Sequence, residues 1–350
     1  MRDVLPTILT WKKERKSFAV ARVISTWGSA PRRPGATMLV STNQEVVGSV
    51  SGGCIEGSVI EAAAEVLETG ISKMLEFGVD DEMAWSVGLS CGGQVRVRVE
   101  SWENLEKGLE SDSLIETLQS DRSFVLTTSL SNASTHQIFF PNIERDSLQE
   151  EHVRDAALDA LSKRESEVFE SGPTQTFFHV FPPRYRLLVV GGADITIKLL
   201  SLASPLDFET IVIDPRAVFA DLARFDTKPD QLIQKWPQEV MDDLKLDENT
   251  FAVLLTHDPK LDDPAIHALL NSPVAYIGAL GGSRTQEKRK QRLREAGFSD
   301  SQLDRIHGPV GLDIGAMSPV EIALSILAQI VAVKNQRWHH TSPPKPAAHT

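Results

Sequence analysis

The sequence predicts an α/β protein of two domains: an N-terminal mixed α+β domain, then a Rossmann-like domain built on a doubly wound parallel sheet. Three observations carry this. A chain of 350 residues has the length of two ordinary domains. Apolar runs at 186–190, 210–213, 251–256 and 274–277 alternate with helical stretches, the pattern of a parallel sheet. Pro182-Pro183 punctuates the chain just before that alternation begins. The expected divisions are 1–183, 184–335 and a tail of 336–350, where Pro343, Pro344 and Pro346 predict disorder.

Taken in order, 18–24 and 37–40 read as strands, with a glycine- and proline-rich connection at 28–35 between them. The stretch after Cys54 reads as a helix. Ile55, Val59, Ala63, Val66 and Leu67 form its apolar stripe, and Gly70 lies just past its end. Residues 94–100 alternate strictly, predicting a half-buried strand with Val95, Val97 and Val99 inward. Strands at 123–129 and 176–181 flank a polar helix near 149–163. In the second half, the strand at 186–190 runs through Gly191-Gly192 into a helix at 195–202 and a strand at 210–213. A basic helix at 286–294 precedes Gly297. Ser318-Pro319-Val320-Glu321 supplies a capping box for a last helix, Pro319–Lys334.

Cys54 and Cys91 are the only cysteines, and both are flanked by glycine: Gly52-Gly53-Cys54 and Cys91-Gly92-Gly93. Glycine leaves the backbone bare enough for a ligand to approach closely. Cys54 is expected at the start of its helix, where free N–H groups favour a thiolate; Cys91 is expected in a turn before a strand. This pattern suits a site for an anionic, thiol-accessible or metal-bearing ligand. The alternative is that both are small buried hydrophobes, the usual fate of a free cysteine.

Composition narrows the partners. A net charge of −12 argues against broad nucleic-acid binding and against an anionic membrane surface, while leaving room for a local basic pocket at Arg32-Arg33. No apolar run has the length of a transmembrane helix, and no signal-peptide core opens the chain. Thiols without a disulfide framework suit a reducing compartment, so a cytoplasmic location is expected.

Several of these motifs also carry a resemblance. Residues 28–38, Gly48-Ser49-Val50-Ser51-Gly52-Gly53-Cys54-Ile55-Glu56 and Gly88-Leu89-Ser90-Cys91-Gly92-Gly93 resemble the amino-terminal domain of the XdhC/CoxI family. His257-Asp258-Pro259-Lys260-Leu261-Asp262, Tyr276-Ile277-Gly278-Ala279-Leu280-Gly281 and residues 308–316 resemble its second half, so the likeness spans nearly the whole chain. The resemblance implies an accessory chaperone that binds molybdenum cofactor (molybdopterin). Such a protein guards it during sulfuration and inserts it into an apo-molybdenum hydroxylase such as xanthine dehydrogenase. It further implies a homo-oligomer, with a cysteine desulfurase as a second partner. Two cysteines cannot hold even one four-cysteine iron–sulfur cluster, which argues against the chain being the dehydrogenase itself. The expected cofactor-binding residues are Arg32, Gly52, Gly53, Cys54, Glu56, Cys91, Gly92 and Gly93. Cys54 is the candidate molybdenum ligand or sulfur-handling thiol, and no catalytic residue is expected.

A nucleotide site in the second half has weaker support. Gly191-Gly192-Ala193-Asp194-Ile195-Thr196 sits where a Rossmann fingerprint belongs, but Ala193 and Thr196 replace glycines and Asp194 brings negative charge. The family more often has Gly-Ala-Gly-His there. Candidate nucleotide-binding residues are Gly191, Gly192, Asp214, His257, Gly281, Gly282, Ser283 and Arg284. Asp214 is placed to bind a ribose hydroxyl or merely to end a strand; His257 and the Gly281–Arg284 helix start are open to the same two readings. The spoiled fingerprint argues against NAD(P). An NAD(P)-dependent oxidoreductase using this second domain is the alternative function.

Overall fold

The structure is a computed structural model and describes residues 1–28, 30–78, 93–107, 109, 114–120, 122–130, 135–141 and 150–336. Cys91, Gly92 and the tail 337–350 therefore lie outside the described residues. Contacts divide the chain into two compact units, the first Met1–Pro183 and the second beginning at Arg184.

The first unit contains two antiparallel sheets. The five-stranded sheet comprises β1 (Phe18–Trp27), β2 (Thr37–Ser41), β3 (Val46–Gly48), β4 (Lys73–Phe77) and β5 (Gln94–Ser101), in the order β3-β2-β1-β5-β4. The four-stranded sheet comprises β6 (Phe124–Ser129), β7 (His136–Phe139), β8 (Glu167–Ser171) and β9 (Thr174–Phe181), in the order β7-β6-β9-β8. The helices are α1 (Leu5–Lys13), α2 (Glu56–Thr69), α3 (Trp102–Lys107), α4 (Leu114–Gln119) and α5 (Glu151–Lys163).

Helix α2 lays Val59, Ala62, Ala63 and Val66 on Ala21, Val23, Val95, Val97 and Val99 of the five-stranded sheet. It ends at Gly70, whose φ of 72° only glycine adopts without strain. Helix α5 covers the four-stranded sheet through Ala157 and Ala160 against Val125, Phe139 and Phe178.

Strict alternation in 94–100 predicts one wet face; Gln94 is exposed and Arg96 half-buried, but from Val97 to Glu100 β5 is buried on both faces. The second face is covered by the four-stranded sheet, with Val20 and Leu39 packed among Phe124, Leu126 and Phe181. The polar residues of β5 consequently enter the interior. Arg22 and Glu100 are wholly buried; Arg22 Nη2 lies 2.5 Å from Glu100 Oε1 and donates to Thr128 Oγ1 at 3.0 Å. His136 Nε2 is 3.1 Å from Glu100 Oε2, and Arg98 lies beside it. Burial pushes the Glu100 carboxyl up, but Arg22, His136 and Arg98 together hold it far below the ordinary range.

The second unit is a six-stranded parallel sheet: β10 (Tyr185–Val190), β11 (Phe208–Ile213), β12 (Gln231–Ile233), β13 (Thr250–Leu254), β14 (Tyr276–Ala279) and β15 (Ile306–His307). Their order, β12-β11-β10-β13-β14-β15, is the doubly wound Rossmann arrangement, with its switch point between β10 and β13. Its helices are α6 (Asp194–Ala203), α7 (Pro259–Leu270), α8 (Ser283–Glu295), α9 (Asp300–Leu303) and α10 (Pro319–Lys334). One face takes α7 and α8 through Leu261, Ala265, Leu269 and Leu293. The other takes α6 and α10 through Leu199, Leu200, Ile326 and Ile330.

The capping box of α10 forms as the sequence predicts, with Ser318 N–H donating to Glu321 Oε2 at 2.8 Å. The strand expected at 274–277 begins two residues later. Gly278 and Ala279 have little strand propensity, but the parallel ladder pairs them with Val253 and Leu254.

Candidate functional site

One end of the five-stranded sheet gathers most of the cofactor candidates. Thr37 pairs with Arg22, so the connection between β1 and β2 projects beyond the sheet. Its far end is seated by Gly35, at φ 91°: a Cβ there would lie 2.9 Å from Ser166 Oγ and 3.1 Å from His179 Nε2. Arg32 and Arg33 are both exposed, and neither makes an ion pair among the described residues. On the same connection, Pro31 lies against the next loop, its Cβ 3.9 Å from where a Gly52 Cβ would stand. Strand β3 pairs Gly48 with Met38, which brings residues 49–54 to this end as well.

That second loop wraps around a carboxylate. Glu56 Oε1 accepts from Ser49 Oγ at 2.7 Å, Ser51 N at 2.9 Å and Gly52 N at 3.1 Å. Its Oε2 accepts from Ser51 Oγ at 2.5 Å and Gly53 N at 2.9 Å. Partial burial pushes the carboxyl up, but the donors from Ser51, Ser49 and the backbone outweigh it and hold Glu56 at about 2. The sequence offers Glu56 as a cofactor-binding residue; in the structure it organises the glycine loop.

Cys54 is half-buried against the apolar cluster under α2, and its N–H donates to Ser51 Oγ at 3.0 Å. Helix α2 begins at Glu56 with Ile55 as N-cap, so Cys54 precedes the cap instead of standing in the first turn. Phe77 pairs with Val95, and Trp27 with Gln94. Gly78 and the buried Gly93 thus stand at this same end of the sheet, Gly93 two residues from Cys91 along the chain.

The remaining candidates lie at the carboxyl edge of the second unit's sheet. Gly191 has φ 109° and donates to Ile213 O at 2.8 Å, while Gly192 N donates to Asp214 Oδ2 at 2.9 Å. Asp214 is wholly buried and held by a fork from Arg216, Nε to Oδ1 at 2.8 Å and Nη2 to Oδ2 at 2.7 Å. Burial raises its pKa, but the donors from Arg216 and Gly192 prevail and lower it.

The space over the glycine turn is also filled. A Cβ on Gly192 would stand 2.3 Å from the Phe219 carbonyl oxygen, and the guanidinium groups of Arg216 and Arg224 lie over the Phe219 ring, at 4.1 and 5.0 Å. Asp214 ties strand end, turn and Arg216 together.

His257 is exposed at φ 63°, beside Asp258, which N-caps α7 by accepting from Lys260 N at 3.0 Å. Gly282 is the N-cap of α8, and Ser283 and Arg284 form its exposed first turn. Sequence reasoning missed Arg216 and Phe219. Arg216 left a signal, two residues after a strand-ending aspartate; Phe219 left none.

No group of three or more His, Cys, Asp or Glu side chains that could hold a metal ion occurs among the described residues. No described helix is long and apolar enough to cross a membrane.

Fold and site together define a two-unit protein. One unit presents a thiol, a carboxylate-bound glycine loop and two exposed arginines; the other is a Rossmann-like domain with a self-filled glycine turn. The XdhC Rossmann domain profile matches residues 187–330, and the profile of the XdhC and CoxI family matches residues 11–78. The chain belongs to the XdhC/CoxI family. It is 27% identical over 329 residues to a protein of Bacillus subtilis (strain 168) named as a probable xanthine dehydrogenase subunit, covering 93% of this chain and 95% of that protein. Escherichia coli (strain K12) has a "Molybdenum cofactor insertion chaperone PaoD" that is 23% identical, over 91% of this chain and 84% of its own length. A crystal structure described as a xanthine dehydrogenase from Bacillus halodurans superposes with a TM-score of 0.74 at 25% identity, over 98% of both chains.

Proposed function

We propose that this chain is a maturation factor for xanthine dehydrogenase-like enzymes. In this reading it takes molybdenum cofactor as cargo, shields it during sulfuration and hands it to an apo-molybdenum hydroxylase. The observation that carries the reading is the convergence, at one end of the five-stranded sheet, of Arg32 and Arg33, exposed and without an ion pair among the described residues, with Cys54 and the Gly52-Gly53 turn. In a chain of net charge −12, two exposed arginines side by side form a local anion site, matched to the cargo's phosphate. A half-buried thiol beside them suits a soft metal centre that already carries sulfur ligands.

The fit has a limit. Gly52 and Gly53 already give their N–H groups to Glu56, so the arginines supply the electrostatics and the glycines supply access. The roles fall as follows: Arg32, with Arg33, holds the phosphate; Glu56 keeps the loop in shape; Cys54 stands nearest the metal end; Cys91 is a second thiol. Nothing in this assignment needs turnover.

The family and the PaoD likeness support the reading. The oxidoreductase alternative is disfavoured by Asp214 and Phe219, which take the N–H and the space a pyrophosphate needs at Gly192.

The test is co-expression with cofactor biosynthesis, anaerobic purification, and assay of molybdenum and pterin per chain. Wild type is expected to carry both. Cys54→Ser is expected to lose more than Cys91→Ser, and Arg32→Glu more than Arg33→Glu. A wild-type protein free of pterin, or Cys54→Ser and Arg32→Glu variants as fully loaded as wild type, would sink the assignment.

A further inference from the structure

Trp27 is the last residue of β1 and is 69% exposed, whereas Trp11 and Trp102 are buried. A single exposed apolar side chain is ordinary; the setting of this one is not. Its backbone is fixed in the ladder opposite Gln94, and Gly28 at φ 73° turns the chain away immediately afterwards. The indole is therefore presented by a strand end, not by a free loop.

The connection it opens passes Pro31, which lies against the Gly52 turn, and then carries Arg32 and Arg33, neither in an ion pair among the described residues. Trp27 and Pro31 are four residues apart, so the chain separates them by at most about 14 Å. The same end of the sheet thus carries an exposed aromatic side chain, two arginines and a thiol. A ligand suited to that combination has a flat ring system and an anionic group close by. An indole contributes stacking to any such ring without demanding a hydrogen-bond pattern.

We propose that Trp27 is the stacking platform for the pterin ring system of the cargo, with Arg32 and Arg33 engaging its phosphate. The inference rests on the cofactor-carrier reading above and adds to it a residue that sets ligand class. Stacking selects a flat bicyclic or tricyclic head over the many phosphates that two arginines alone would accept.

The experiment compares full-length wild type, Trp27→Phe and Trp27→Ala, each co-expressed with cofactor biosynthesis and assayed for pterin per chain and for melting temperature. Trp27→Ala is expected to lose roughly tenfold in pterin affinity, the scale of one stacked ring, while Trp27→Phe keeps most of it. Freed of cargo, all three are expected to melt together, because an exposed side chain contributes little to folding. In parallel, pterin-6-carboxylate is titrated into the cargo-free proteins. Wild-type tryptophan emission is expected to be quenched, and Trp27→Phe is expected to bind with that quenched component missing.

If wild type and Trp27→Ala retain pterin equally, the platform is refuted and the carrier reading stands. If Trp27→Phe loses as much as Trp27→Ala, aromatic stacking is refuted. If wild type retains none, the carrier reading falls and takes this inference with it.

Discussion

Replacing Glu56 by glutamine tests the most closely specified part of the site. The carboxylate accepts from the hydroxyls of Ser49 and Ser51 and from the backbone of Ser51, Gly52 and Gly53. These donors hold it at about 2 against an ordinary 4.5. At full coupling that difference is worth roughly 3 kcal/mol of stability. Glu56 is only partly buried, and screening by solvent reduces the figure to about 1–2 kcal/mol. The sign follows from a depressed folded-state pKa: the contribution is complete above about 4.5 and is lost as pH falls from there towards about 2. Glutamine keeps the shape but turns an NH2 group towards N–H donors, so the Glu56→Gln variant forfeits the contribution at every pH. The assay is urea unfolding of both proteins from pH 7 to pH 3, followed by near-ultraviolet circular dichroism. The stability gap is expected to be about 1–2 kcal/mol at pH 7 and to narrow steadily below pH 4.5. A gap that is absent at neutral pH, or constant down to pH 3, would refute the account of the loop as organised by a charged Glu56.

Two further outcomes follow from buried groups. Glu100→Gln leaves Arg22 buried without its counter-charge and is expected to destabilise the first unit by about 3–5 kcal/mol, read by urea unfolding; Glu100→Asp should recover part of the loss. Calorimetric titration with NAD and NADP is expected to show no tight binding, because Asp214 and Phe219 occupy the approach to Gly192. Micromolar binding abolished by Asp214→Ala would restore the oxidoreductase alternative.

Much of this protein is decided locally and is therefore readable from its sequence. The parallel sheet announces itself because each strand is buried on both faces and must be apolar throughout, as in Leu187–Val190 and Phe251–Leu254. Helix α10 is bounded by a capping box and an N-terminal proline, short-range signals that need no tertiary partner. Gly52 and Gly53, at φ 85° and 126°, mark the turn before Cys54 for the same reason. Tertiary structure decides what those local signals leave open. Strand β5 reads as half-buried because alternation reports only that its two faces differ in chemistry, and only the arrival of the four-stranded sheet turns Arg98 and Glu100 inward. Gly192 reads as a phosphate turn until a residue 27 positions later, Phe219, sets its carbonyl over it. Pro31, Gly52 and Cys54 come to one end of the sheet through the pairing of β1, β2 and β3, a long-range fact of register that no window of sequence contains.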